Sequence, residues 1–183
     1  DVYQQTLNNV LADRPDFMID LGDTMLTDKL DAQGVPVNGG SSPNLAGIVT
    51  RARMHRSYYD LATHSLPLFL ALGNHEGESG WLNNGTASNT AVWGAQQRKR
   101  FFPNPHPDGF YTGDTTNTPF IGPRESFYSW EWGNALFIVL DPYWYTKPKP
   151  DSLHGWYWTL GKVQYDWLRK TLETSQADFK FVF

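Results

Sequence analysis

Residues 67–72, Pro-Leu-Phe-Leu-Ala-Leu, form an apolar run without polar alternation. A strand of this kind has no face for water, so it suits a position covered on both sides by other layers, as in an α/β sheet. A second short strand is expected at 17–21. Each ends in a polar string, Leu21-Gly22-Asp23-Thr24 and Gly73-Asn74-His75-Glu76. Ligands of open α/β sheets sit beyond the carboxyl ends of the strands, so the two strings are expected to face one pocket.

The remaining pattern places these strands among helices. Tyr3, Thr6, Leu7, Val10 and Leu11 recur at helical spacing until Arg14-Pro15-Asp16. Leu45, Ile48, Val49, Ala52, Tyr59 and Ala62 mark a second helix with Pro43-Asn44 as its start, and 91–102 reads as a third. Segments 28–43, 78–90 and 103–126 are rich in Gly, Asn, Ser or Pro and are expected as surface loops that wall a binding site. Residues 127–132 and 135–140 flank Gly133-Asn134, a strand, tight turn and strand. Val163, Trp167, Leu168 and Leu172 define a last helix, and a strand begins at 179. The chain stops inside that strand, so it is expected to be a piece of a longer protein.

The chemistry lies in the two strings. Gly22 allows a sharp turn that can aim the Asp23 carboxylate into a cleft, and a carboxylate can bridge two cations. Taken alone, Gly-Asp-Thr equally suits a turn or helix cap. Asn74 offers a hard carbonyl oxygen for a divalent ion and amide hydrogens for a phosphate oxygen.

Together these strings resemble the second and third metal motifs of the calcineurin-like metallophosphoesterases. The runs Tyr128-Ser129-Trp130-Glu131-Trp132-Gly133-Asn134-Ala135, Leu140-Asp141 and Leu160-Gly161-Lys162-Val163-Gln164-Tyr165-Asp166-Trp167-Leu168 are similar to segments of bacterial members. The resemblance implies an α/β fold, a two-sheet sandwich flanked by helices, with residues 1–183 as the amino-terminal and middle part of one domain. It implies a phosphoester substrate, mono- or diester, and a binuclear centre of divalent or trivalent ions (manganese, iron or zinc) that activates a hydroxide. Asp23 would be the shared metal ligand, Asn74 a second ligand, and His75 the catalytic group that protonates the leaving oxygen or stabilises phosphoryl charge. Glu76 would support His75 by a hydrogen bond or face solvent. Asp141, also at a strand's carboxyl end, is read either as an outer support or substrate contact, or as a structural turn residue. The family's Asp-x-His, lone His and His-x-His motifs are absent and are expected beyond the two ends. Leu26 stands where purple acid phosphatases carry a tyrosine, so a tyrosinate–ferric site is not expected.

Composition removes some alternatives. A net charge of −4 without a basic run argues against a nucleic-acid surface, Arg98-Lys99-Arg100 being a solvated helix end. No apolar stretch is long enough to span a membrane. The absence of cysteine excludes disulfides and thiolate sites, and together with aromatic-rich loops it favours export. His55 is expected as a satisfied, partly buried helix residue, His64 in the last turn of that helix, and His106 and His154 in loops. The rival reading is a non-catalytic carbohydrate-binding or structural domain in which Trp130, Trp132, Tyr143, Trp144, Tyr145, Trp156, Tyr157 and Trp158 stack on sugars. Aromatics at alternate strand positions fit core and cross-strand pairs better.

Overall fold

The computed structural model describes residues 1–39 and 41–183, so residue 40 of the expected 28–43 loop lies outside the described residues. Four helices and eight short strands follow in the order α1 (Val2–Asp13), β1 (Met18–Asp20), α2 (Leu45–Thr63), β2 (Leu68–Leu70), α3 (Thr90–Phe101), β3 (Thr112–Gly113), β4 (Asn117–Thr118), β5 (Gly122–Pro123), β6 (Tyr128–Trp132), β7 (Ala135–Val139), α4 (Gly161–Thr174) and β8 (Phe179–Val182). The helix starts are local chemistry. Asp1 accepts from the Tyr3 N–H at 2.9 Å, Asn44 from Gly47 at 2.8 Å and Asn89 from Val92 at 3.1 Å, each satisfying a first-turn donor. α1 ends where Arg14 turns left-handed ahead of Pro15.

β1 and β2 pair in parallel, with Asp20 opposite Leu70, and α2 makes the crossover. β6 and β7 form the expected hairpin around Gly133-Asn134, with Trp132 opposite Ala135. β3 joins β6 on one side, and β8 runs parallel to β7 on the other. The β4–β5 hairpin stands apart. The result is a mixed α/β fold of helices and small mixed sheets.

Two apolar clusters hold the strands. On the helix side, Leu7, Met25, Ala52, Tyr59, Ala62, Leu66, Leu70 and Phe102 pack together. On the other side, Phe69 and Ala71 pack against Tyr128, Trp130 and Val139, with the Phe69 and Trp130 rings stacked at 4.0 Å. β2 is thus covered on both faces, as its sequence requires. Asn104 closes its open edge: its side chain accepts from the Leu70 N–H and donates to the Leu70 carbonyl, both at 3.0 Å.

Several expectations need correction. The three polar segments are not simply surface loops: Thr27, Leu30, Glu78, Ser79, Asn104, Asp114, Arg124 and Ser126 within or beside them are buried. Glu78 and Arg124 are ion-paired with each other, Asn104 brackets the Leu70 backbone and Asp114 accepts the Thr116 N–H, tasks that composition hides. In α4 Trp167, Leu168 and Leu172 of the expected repeat are partly buried, but Val163 is 54% exposed and the fully buried residue is Gln164. Gln164 instead brackets the end of the hairpin, accepting from the Asp141 N–H at 2.7 Å and donating to the Asp141 carbonyl at 2.8 Å. Trp130 and Trp144 belong to the interior rather than to a sugar platform.

Candidate functional site

The two strings meet back to back at the ends of β1 and β2. Gly22 has φ +90°, and a Cβ there would lie 2.2 Å from the Gly73 nitrogen, so only glycine permits the contact. Asp23 itself is left-handed at φ 57°, a conformation that Asp tolerates better than most residues.

One side chain locks this arrangement. Glu76 is buried, and its carboxylate accepts four backbone N–H groups: Asp23 and Gly73 on Oε2 at 2.8 and 2.6 Å, Thr24 and Met25 on Oε1 at 2.8 and 3.2 Å. Burial pushes the Glu76 carboxyl up, while the donors of Asp23, Gly73 and Thr24 pull it down. Glu76 therefore neither supports His75 by a hydrogen bond nor faces solvent, as expected above. Its oxygens are taken by the backbone of both strings.

His75 is held by another residue. Its backbone N–H donates to Asp23 Oδ1 at 2.8 Å, and its Nδ1 faces both oxygens of Asp28 at 3.0 and 3.1 Å. A carboxylate only accepts, so Nδ1 carries the proton. Nε2 is left at the open edge of the ring, where the Asn74 amide donates to it at 3.3 Å. Asp28 lies in a single 3-10 turn, Thr27–Lys29, where the sequence shows only the first residue of a polar segment. Its position five residues after Asp23 was the only available signal.

A second layer secures the Asp23 turn from the helix side. Asp20 accepts from the Gly22 N–H and the Thr24 hydroxyl, both at 2.9 Å, and from the Tyr59 hydroxyl at 2.6 Å. Burial first, then the Asp20 charge, keeps the Tyr59 phenol well above its ordinary pKa and hence a donor. Arg51 on the same helix donates through Nε to the Met25 carbonyl at 3.1 Å.

Asp141 lies at the end of β7 and is buried. Its Oδ2 pairs with Arg124 at 2.7 Å and its Oδ1 accepts from the Tyr143 N–H at 3.0 Å. Arg124 also pairs with Glu78 at 3.2 Å, and Glu78 receives both Nε and Nη2 of Arg98. This buried run of alternating charges ties α3, the segment after Glu76 and the hairpin into one support, with the Trp144 ring 3.9 Å from the Arg124 guanidinium. Arg98 is thus not part of a solvated basic end.

The other histidines stand elsewhere. His55 is buried beside Tyr3 and Tyr58, and among the described residues neither ring nitrogen has a partner, so the expected satisfied side chain is not found. His64 Nδ1 donates to the Asp60 carbonyl at 3.2 Å, and His154 pairs with Asp151 on the surface.

Asp23 and Asn74 supply the hard oxygen donors that a divalent or trivalent cation prefers, and the Asp23 carboxylate is exposed on the same side as His75. Among the described residues no group of three or more His, Cys, Asp or Glu side chains converges on one point. The donors fit a metal in kind, as part of a coordination sphere.

No family model matches the sequence, and neither does any curated protein. The fold is that of a mixed α/β protein whose two short parallel strands end in the paired strings. Among solved structures it is related to PhoD, with a TM-score of 0.62 and 16% identity over 98% of this chain. The chain spans 37% of the PhoD chain, and at this identity the likeness establishes a related fold. No helix among the described residues is long and apolar enough to cross a membrane.

Proposed function

We propose that the chain forms part of a metallophosphoesterase domain, built as a two-sheet sandwich between helices, and that it contributes to hydrolysis of a phosphoester at a binuclear metal centre. The supporting observation is the joining of the two strings: Glu76 fixes the backbone of both, and the His75 N–H binds Asp23 Oδ1 at 2.8 Å. Asp23 and Asn74 would hold the metal ions, which when bound supply positive charge to polarise water and neutralise phosphoryl oxygens. In the net reaction a water oxygen bonds to phosphorus, the bond from phosphorus to the alcohol oxygen breaks, and the proton released by water balances the one gained by the alcohol. His75 presents Nε2 for that transfer or for a phosphoryl oxygen, with Asp28 fixing the ring through Nδ1. Asp141 serves as a support for the hairpin end.

The test is hydrolysis of bis-p-nitrophenyl phosphate and p-nitrophenyl phosphate by the full-length protein, with and without manganese, iron or zinc. Turnover that is lost on chelation and restored by metal supports the assignment. Turnover indifferent to chelation, or equal in an Asp23→Asn variant, would end it.

A further inference from the structure

Beside the site three partly exposed aromatic rings stand edge to face. Trp81 follows the second string in the 3-10 turn Gly80–Leu82, and its ring lies 5.3 Å from that of Trp158 at 71°. Tyr143 packs edge-on to both, 5.2 Å from Trp158 and 6.5 Å from Trp81. Backbone contacts join the segments that carry the rings. The Gly80 N–H donates to the Tyr143 carbonyl at 3.1 Å, and a Cβ on Gly80 would lie 2.3 Å from the Trp144 carbonyl oxygen. Tyr143 in turn is anchored by its N–H to Asp141, at the carboxyl end of β7. Burial, and after it the charges of Asp23, Asp141 and Glu76, raise the Tyr143 phenol pKa.

The rings belong to three segments distant in sequence, and none of them is part of either apolar cluster. The Lys149 ammonium stands 5.7 Å from the Trp81 ring centre, adding a positive side chain to the group. Aromatic edges and faces beside a phosphate site match a flat ring joined to an anion, because stacking rewards a π-face and the cation rewards the charge.

We propose that Trp81, Tyr143 and Trp158 form the wall that receives the alcohol side of the substrate, and that the substrate class is phosphoesters of alcohols carrying a flat aromatic ring. This rests on the phosphoesterase reading above and adds its specificity.

Calorimetric titration of the metal-loaded full-length protein with phenylphosphonate and methylphosphonate tests it, since neither is hydrolysed. Phenylphosphonate is expected to bind about tenfold tighter, equivalent to about 1.4 kcal/mol. Trp81→Ala and Trp158→Ala should bring the ratio near one while methylphosphonate binding stays within about twofold, and Trp81→Phe should keep most of the preference. Asp23→Asn should weaken both ligands together. Equal wild-type affinities for the two, or a preference that survives both alanine variants, overturns the aromatic wall and leaves the phosphoester site standing. Binding of neither phosphonate overturns the wall and the phosphoester reading together.

Discussion

His75 Nδ1 lies 3.0 Å from Asp28 Oδ1, a contact between residues 47 apart in sequence that fixes which ring nitrogen carries the proton. Asp28→Asn keeps the size and removes the charge that orients the imidazole. We expect turnover to fall roughly 10–100-fold with metal content unchanged, since partners that orient a working group are commonly worth that much. Steady-state rates alongside elemental analysis decide it. Loss of metal in proportion to activity would place Asp28 in metal retention instead. His75→Ala should likewise slow turnover with metals kept.

Asp23→Asn separates charge from shape. Asn adopts the left-handed backbone of position 23 readily, and its side-chain oxygen can still accept the His75 N–H found at 2.8 Å. Thermal stability should stay within a few degrees while metal uptake falls and turnover is abolished. Retained uptake by elemental analysis would remove Asp23 from the metal ligands.

Glu76→Gln attacks the join. Both oxygens of Glu76 accept two backbone N–H groups each, so an amide NH2 must face donors on one side. The buried donors left unpaired should cost about 3 kcal/mol, or roughly 6–12 °C in melting temperature for a domain of this size. An unchanged melting curve would show that the clamp contributes no stability.

His55 sets a pH dependence of folding. Burial first, then the nearby Arg51 charge, depresses its pKa from 6.5 to about 4 in the folded chain. The folded state therefore holds this ring neutral, and the unfolded chain takes up the proton first as pH falls. Its contribution is fully present above pH 6.5 and declines between 6.5 and about 4, by roughly 3 kcal/mol in all. His55→Gln should flatten urea midpoints across that window, and a slope that persists in the variant would assign it to other groups.

Much of this molecule is legible in its sequence where the signal is local. The caps Asn44 and Arg14, the Gly133-Asn134 hairpin and the paired strings at strand ends all follow from backbone needs of neighbouring residues. Long-range polar pairings left no such trace. Asp28 serves a histidine in another segment, and the buried charges of Glu78, Arg98, Arg124 and Asp141 satisfy one another across four segments. In sequence each reads as a polar residue in a polar stretch. Gln164 was hidden for the same reason, because an amide that brackets a distant backbone lies at no apolar position.

Glu76 recognises amides at 23–25, not their side chains. The weld between the strings is therefore blind to what residues 24 and 25 are, and it asks only that the intervening chain return to the same place. Insertions or exchanges between Leu30 and Asn44 fall outside the closed circuit formed by β1, β2 and the carboxylate. The two strings thus behave as one part, joined through backbone positions rather than through the identity of the side chains that Glu76 faces.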